Sequence, residues 1–505
     1  ADVTITQVNY TDTHDDTLLM GFVAKPDSLG DDEKRPGLVI LPPWHGVGQY
    51  AQERMSSFAK EGNYVVLAAD IFGNGALPET TEDRVAQVTI YRSNLDLTIS
   101  RIESAIDVLK NDPQVDPTRI ALIGYCFGGT IGLMYAMAGH DASAVIAFHG
   151  SISYFSDKEL PSSPVVPKVL ILSGGEDTQD STQSVIDMEG ALNHGNATWQ
   201  LTRYSDVEHG FTNLFEPAYN PYVDERSHDN AYKFLAEAFG DMTLEADVPD
   251  AATTSEVPYE DADGYALTGH VAYPPESFVE KPYPAVIVIH DASGPDEYEQ
   301  KRATMLSEMG YVGFAADIFG DHGYDLTNLT EVFTLLPSIR DDVPLFVKRI
   351  NAAIETVKGL DNVDPENIAL IGYCFGGTGV ISYALSGETQ AKGIVSYHGG
   401  LSAGLPPVTG AITAKMLIES GGDDDASSSI EDLEKAMNSG DGTWEYSRYS
   451  GVVHSFTNWD DAAPFGVYDV RADVTSWDHT ESFLSTLFAT DDAPADESSA
   501  FVQMM

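Results

Sequence analysis

The chain contains two cysteines, and both sit in the same six-residue sequence. Gly124-Tyr125-Cys126-Phe127-Gly128-Gly129 recurs letter for letter as Gly372-Tyr373-Cys374-Phe375-Gly376-Gly377. Each copy follows a short apolar run, Ile120 to Ile123 or Ile368 to Ile371, and precedes a helix-like segment. Strand, glycine-flanked reactive residue and helix form the context of a nucleophile elbow, a sharp turn that lifts one side chain above a sheet. A thiol attacks acyl carbon well only as thiolate, so it needs a base or a suitable electrostatic environment. An imidazole, and a carboxylate to orient it, complete the set. The first copy offers Cys126, Asp177 and His209, at spacings of 51 and 32. The second offers Cys374, Asp424 and His454, at spacings of 50 and 30.

Each residue also has a blander reading. A cysteine in an apolar strand-turn is often a buried small hydrophobe. Asp177 has an acidic neighbour and Asp424 sits in a run of three, as in solvated turns. The histidines could be satisfied loop residues. Flanking glycines and repetition of the whole set favour chemistry. His149 and His398 recur too, but they follow an earlier strand and read as supporting residues. There is no His-x-x-x-His pair and no CxxC, so no metal is expected. An oxyanion hole needs two backbone N–H groups. One is expected from the residue after each nucleophile, Phe127 or Phe375. The other is expected from the turn after the first core strand. Pro42 and Pro43 lack the donor, which leaves Trp44 in the first copy; Ala292 is its counterpart in the second.

The elements that must hold these groups also occur twice. Residues 37–41 match 285–289, Ala69-Asp70-Ile71-Phe72-Gly73 matches Ala316-Asp317-Ile318-Phe319-Gly320, and His209-Gly210-Phe211-Thr212-Asn213 matches His454-Ser455-Phe456-Thr457-Asn458. The offset is 248 at the cysteines and 245 at these histidines, so the repeat is a domain duplication and not a solenoid. In the first copy, strands are expected at 37–41, 65–69, 120–124, 144–148, 168–172 and 199–204. They are short, Val/Ile/Leu-rich and mostly non-alternating, as buried parallel strands are. Helices are expected near 49–62, 93–110, 130–139, 181–193 and 227–239. This alternation predicts an α/β fold with a mostly parallel central sheet and a site at the carboxyl ends of the strands. The expected layout is a first domain at 1–245, a linker at 246–258, a second domain at 259–488 and an acidic tail at 489–505.

The 505 residues suffice for two full cores. The net charge of −52 disfavours nucleic acid or an anionic membrane surface as partner. It fits a solubilising surface suited to salty surroundings. No apolar run approaches the roughly 20 residues of a membrane span. The chain starts Ala1-Asp2, which fits removal of a targeting peptide and hence a secreted or organellar protein, or a boundary introduced in expression.

Chain order nucleophile, acid, histidine is that of the α/β-hydrolase fold. The Gly-Tyr-Cys-Phe-Gly-Gly elbow, the later Gly-Gly-x-Asp and the His-x-Phe together resemble the dienelactone hydrolase family, over nearly all of each copy. The resemblance implies a Cys-His-Asp triad, hydrolysis of a small ester or lactone through an acyl-thiol intermediate, and no metal or organic cofactor. Family members carry a Glu in the first oxyanion turn that binds the resting thiol. Here Asp291 occupies that position in the second copy and Pro43 in the first, which implies that the second domain is the more active. Enzymes that open dienelactone carry an Arg four residues after the histidine, where this chain has Asn213 and Asn458. A neutral ester or another lactone is therefore expected. Arg92 and Arg340 recur at equivalent places as candidate anion ligands or exposed helix-end residues; Arg101 and Arg349 read as structural. Fused copies often bury a would-be subunit contact, so an intrachain domain contact is expected. The competing expectations are a binding or assembly module that kept the fold without turnover, and a thiol acyltransferase or peptidase.

Overall fold

The computed structural model describes residues 2–30, 32–278, 281–320, 328–401, 405–459 and 466–489. They form two units: residues 1–245 with 421–427 and 445–453, and the remainder from 246 onward. In the first unit the elements run β1 (Val3–Thr11), β2 (Leu18–Pro26), β3 (Arg35–Leu41), α1 (Gln49–Glu61), β4 (Val65–Ala68), α2 (Thr81–Ser93), α3 (Leu95–Lys110), β5 (Val115–Tyr125), α4 (Phe127–Met137), β6 (Ala144–Phe148), β7 (Lys168–Gly174), α5 (Thr182–His194), β8 (Trp199–Tyr204) and α6 (Pro221–Phe239). Strand order is β1-β2-β4-β3-β5-β6-β7-β8. From β4 to β8 every neighbouring pair is parallel.

The apolar strands read as non-alternating because both faces of the sheet are covered. Val39, Leu67, Leu122, Val145 and Ile171 enter one core cluster. Leu38, Ile40, Val66, Ile123, Ile146 and Leu172 enter another. All six expected strands of the first copy are present. The antiparallel pair β1–β2 precedes them; β1 has no apolar run to betray it, because it is largely exposed on both faces. The helical stretch expected at 93–110 is α3, preceded by a separate helix, α2. Asn94 ends α2 and caps α3, accepting from the N–H of Leu97.

The second unit repeats the plan with β9 (Ser255–Glu260), β10 (Ala266–Ala272), β11 (Tyr283–Ile289), α7 (Glu297–Glu308), β12 (Val312–Ala316), α8 (Leu329–Arg340), α9 (Val343–Lys358), β13 (Val363–Tyr373), α10 (Phe375–Leu385), β14 (Gly393–Tyr397), β15 (Lys415–Gly421), α11 (Ser427–Ser439), β16 (Trp444–Tyr449) and α12 (Val470–Phe488). Its strand order is β15-β14-β13-β11-β12-β10-β9, parallel from β12 to β15. Residues 445–449 of β16 belong to the first unit, where they lie antiparallel to β8. The strand β9 begins inside the stretch read as a linker. It is an edge strand, mostly exposed on both faces, so burial imposes no apolar period on it. The acidic tail expected at 489–505 lies, beyond Ala489, outside the described residues. No described helix is long and apolar enough to cross a membrane.

Arg101 and Arg349 both brace the scaffold. The Arg101 guanidinium bonds Asp12 and reaches Asp15 at 2.9 Å and 3.0 Å, with Arg101 and Asp12 side chains 3% and 0% exposed. Arg349 donates to the carbonyls of Ile318 and Phe319, at 2.5 Å and 3.1 Å. Replacing Arg101 by Met strands a buried carboxylate and should cost about 3–5 kcal/mol. Replacing the half-exposed Arg340 by Met should cost no more than about 0.5 kcal/mol. Denaturant unfolding of the two variants checks both values.

Candidate active site

Each cysteine stands where a parallel strand must turn at once into a helix. Cys126 has φ +54° and ψ −115° between β5 and α4; Cys374 has φ +52° and ψ −110° between β13 and α10. A non-glycine residue at positive φ is strained and persists only where its surroundings hold it. One holding bond is common to both repeats, and in the second the Cys374 N–H also reaches His398 Nδ1 at 3.1 Å. Cys126 N–H donates to Phe148 O at 3.0 Å and Cys374 N–H to Tyr397 O at 3.0 Å. The flanking glycines are required by close approach: a Cβ on Gly128 or Gly376 would collide with the carbonyl of Leu41 or Ile289. Both thiols stay half-buried, each at a helix N-terminus that favours negative charge.

The imidazoles arrive from the far end of each repeat. His209 Nε2 lies 3.0 Å from Cys126 Sγ, and His209 Nδ1 lies 2.9 Å from Asp177 Oδ2. The Asp177 side chain is fully shielded from solvent. His454 Nε2 lies 3.0 Å from Cys374 Sγ. Asp424 occupies the turn after β15 that Asp177 occupies after β7, with backbone N–H to Gly421 O at 3.3 Å against Asp177 to Gly174 at 3.4 Å.

A clamp fixes each histidine loop; it contains His149 or His398, read from the sequence as supporting residues, and others that sequence reading missed. Thr212 Oγ1 meets Tyr50 Oη at 2.6 Å and His149 Nε2 at 2.7 Å. Arg54, one turn after Tyr50 on α1, bonds the Thr212 carbonyl and pairs with Asp224 at 2.7 Å. In the second repeat Thr457 Oγ1 meets Tyr298 at 2.8 Å and His398 at 2.7 Å. Arg302 donates to Thr457 O at 3.1 Å and to Asp473 at 2.5 Å. The signal was available: Tyr50 and Arg54 recur at the 248-residue offset as Tyr298 and Arg302.

Burial and hydrogen bonding give the paired histidines opposite characters. Burial by itself would lower the His209 pKa, but bonds to Asp177 and to the Cys126 sulfur outweigh it and raise it to about 10. His149, whose ring lies 5.3 Å from that of His209, is pushed well down by burial and then by its neighbour. His398 is pushed down likewise, by burial and by His454. A charged imidazole against sulfur is the environment that stabilises a thiolate. The neutral His149 and His398 serve as struts, bonded through Nε2 to the threonines.

Phe127 and Phe375 are the first residues of α4 and α10, so their N–H groups have no acceptor within the helix. Trp44 and Ala292 sit in turns after β3 and β11 that share a left-handed glycine, Gly46 at φ +76° and Gly294 at φ +93°. Among the described residues, none of these four N–H groups has a protein acceptor.

The auxiliary residues fall out differently from expectation. Asp291 does not hold the resting thiol. Its Oδ1 accepts from Ser293 N–H at 2.7 Å and Ser293 Oγ at 2.5 Å, its Oδ2 lies 3.4 Å from Asn458 Nδ2, and the Cys374 sulfur is bonded to His454. The carboxylate is claimed by Ser293 and Asn458. Arg92 and Arg340 share a place in the repeat but not an environment. Arg92 Nη2 reaches Ser151 Oγ at 3.2 Å and Thr130 Oγ1 at 3.4 Å, one turn beyond Cys126, and lies over the Tyr154 ring. Arg340 ends α8 and bonds its neighbour Asp341 at 2.8 Å. Among the described residues no group of three or more His, Cys, Asp or Glu side chains could hold a metal ion.

The sequence profile of the Dienelactone hydrolase family matches residues 19–239 and 267–488, most of the chain. A Bradyrhizobium protein named as a 2-oxo-3-(5-oxofuran-2-ylidene)propanoate lactonase is 22% identical over 223 residues, 43% of this chain and 88% of the relative. An Escherichia coli (strain K12) protein named as a carboxymethylenebutenolidase is 25% identical over 255 residues, 46% of this chain and 92% of the relative. A solved structure, a dienelactone hydrolase-like promiscuous phosphotriesterase from metagenomic libraries, aligns at a TM-score of 0.42 with 24% identity, over 48% of this chain and 100% of that one.

The raised His209 pKa carries a stability signature. A group whose pKa rises on folding stabilises fully below its unfolded value and loses that contribution as pH climbs through the folded one. The thermal-stability margin of the wild type over a His209→Gln variant should therefore be full below about pH 6.5 and narrow toward pH 10. Paired melts across that range check it, and a flat or widening margin contradicts it.

Proposed function

The chain belongs to the dienelactone hydrolase family, and on that premise we propose that each repeat is a cysteine hydrolase of small esters or lactones. The observation that carries the reading is an imidazole Nε2 at 3.0 Å from each of the two elbow thiols. The Cys126 thiolate attacks the acyl carbon and forms the C–S bond, while the carbonyl π-electrons move to oxygen. The N–H groups of Trp44 and Phe127 receive that oxyanion. As it collapses, the C–O bond to the leaving group breaks and His209 supplies the proton to the departing alkoxide. Water then attacks the thioester with His209 as base, releasing acid and regenerating the thiol. Asp177 keeps Nε2 directed at sulfur by binding Nδ1–H. Cys374, His454, Ala292 and Phe375 take the same roles in the second repeat, and Asp424 takes the orienting role by its equivalent place.

Two relatives are named for lactone substrates, which supports the substrate class. A carboxylate on the substrate is not required. Asn213 and Asn458 stand where dienelactone-opening members carry Arg, and both are occupied locally. Asn213 Oδ1 accepts from Phe215 N–H at 3.1 Å, and Asn458 Nδ2 lies 3.4 Å from Asp291. The second repeat is expected to be the more active half, although Asp291 does not hold its thiol: that carboxylate instead orders the turn carrying Ala292 N–H, where the first repeat has Pro43.

A Cys126→Ala/Cys374→Ala double variant should lose p-nitrophenyl acetate turnover by about 10³-fold or more, and full retention would end the hydrolase reading. Intact-mass spectrometry during turnover should find the acyl group on each cysteine. Of the single variants, Cys374→Ala should lose the larger share, and equal losses contradict the asymmetry.

A further inference from the structure

In the oxyanion turn of the second repeat, side chains are committed to particular backbone groups on either side of Ala292. His290 Nδ1 holds the Asp291 carbonyl at 2.6 Å, and its Nε2 accepts from Ile318 N–H at 3.1 Å. Asp291 N–H donates to Glu299 Oε1 at 3.1 Å. Ser293 N–H donates to Asp291 Oδ1 at 2.7 Å. Between them, Ala292 N–H has no acceptor among the described residues.

Glu299 is the unexpected member. It lies on α7, fully buried, and its Oε2 has no partner among the described residues. Burial, then the nearby Asp291 and Asp296, push its carboxyl well above the usual range. Burying such a group costs stability unless one of its oxygens is needed. The first repeat shows when it is not. At the same 248-residue offset Pro43 replaces Asp291 and the buried Ala51 replaces Glu299. Proline has no N–H, so that turn has no donor to occupy and no use for a buried acceptor. The flanking Gly46/Gly294 and Arg54/Arg302 stay in register, so the exchange of Pro43 and Ala51 for Asp291 and Glu299 is local and paired.

We propose that Glu299 is the positioning residue of this turn: it occupies the N–H of Asp291, as Asp291 occupies that of Ser293, and so holds Ala292 N–H toward the acyl oxygen beside Phe375 N–H. The proposal rests on the hydrolase reading above and adds a residue that does not touch the substrate.

The test uses the full chain carrying Cys126→Ala, so that turnover reports the second repeat alone. With p-nitrophenyl acetate, Glu299→Ala should lower kcat roughly tenfold to a hundredfold, less than the 10²–10³-fold of losing a donor outright, with KM within about twofold. Glu299→Gln keeps an acceptor oxygen in the same shape and should hold kcat within about threefold. Asp291→Pro/Glu299→Ala, which copies the first repeat, should regain at least tenfold over Glu299→Ala. A loss in the Gln variant equal to that in the Ala variant, a full kcat in the Ala variant, or no recovery in the double variant overturns the proposal. Should the Ala variant fail to fold, the Gln and double variants decide by the same thresholds against the parent. Adding Cys374→Ala must abolish turnover; if it does not, the hydrolase reading itself falls, whatever Glu299 does.

Discussion

A thiol held at positive φ on the residue that follows a parallel strand is the constraint on which each repeat depends. The conformation is unfavourable for any residue with a Cβ, so the scaffold has to impose it. It does so from three directions. The neighbouring strand supplies a carbonyl for the cysteine N–H, α4 or α10 begins one residue later, and glycine on either side lets the backbone of the adjacent strand come close enough to shut the turn. The same crowding that strains the cysteine points its sulfur toward the carboxyl edge of the sheet, where the loops arrive.

The histidine loop meets that sulfur because it is braced from behind. A buried guanidinium, Arg54 or Arg302, binds a loop carbonyl and is neutralised by an aspartate on the last helix of its unit. Removing such a charge from water is tolerable only because it is paired and hydrogen-bonded. In the second unit the Trp459 ring also lies 4.1 Å from the Arg302 guanidinium. Two imidazoles then lie about one ring apart with different roles. One is raised by its bonds to carboxylate and sulfur, and the other is kept neutral by burial and by its charged neighbour. Their separation in character follows from environment alone, since the residue type is the same.

The two repeats stiffen the same turn by different chemistry. Pro42 and Pro43 restrict φ through their rings, whereas His290, Asp291, Ser293 and Glu299 reach a comparable result with side-chain hydrogen bonds. Both routes leave the N–H of Trp44 or Ala292 without an acceptor among the described residues. Rigid preorganised donors are what a developing oxyanion requires, because they need not reorient as charge appears.

Much of this was legible in the chain. The buried strands showed as apolar runs because a sheet covered on both faces demands them, and the elbow showed because only glycine fits beside it. Cys126, Asp177 and His209 could be named from order and spacing because each follows a strand of a fold whose loops converge at one edge. What could not be read were groups whose importance comes from where they end up. The edge strands β1 and β9 carry no apolar period, since little of them is buried. Arg54 and Tyr50 look like ordinary helical residues until the helix is placed behind Thr212. Asp291 matched a position, but only the folded turn decided that Ser293 claims its carboxylate ahead of the thiol. Residue type and order are local properties and determine the repeat, the elbow and the candidate triad. Hydrogen-bond partners depend on distances between segments far apart in the chain, and only tertiary structure decides those.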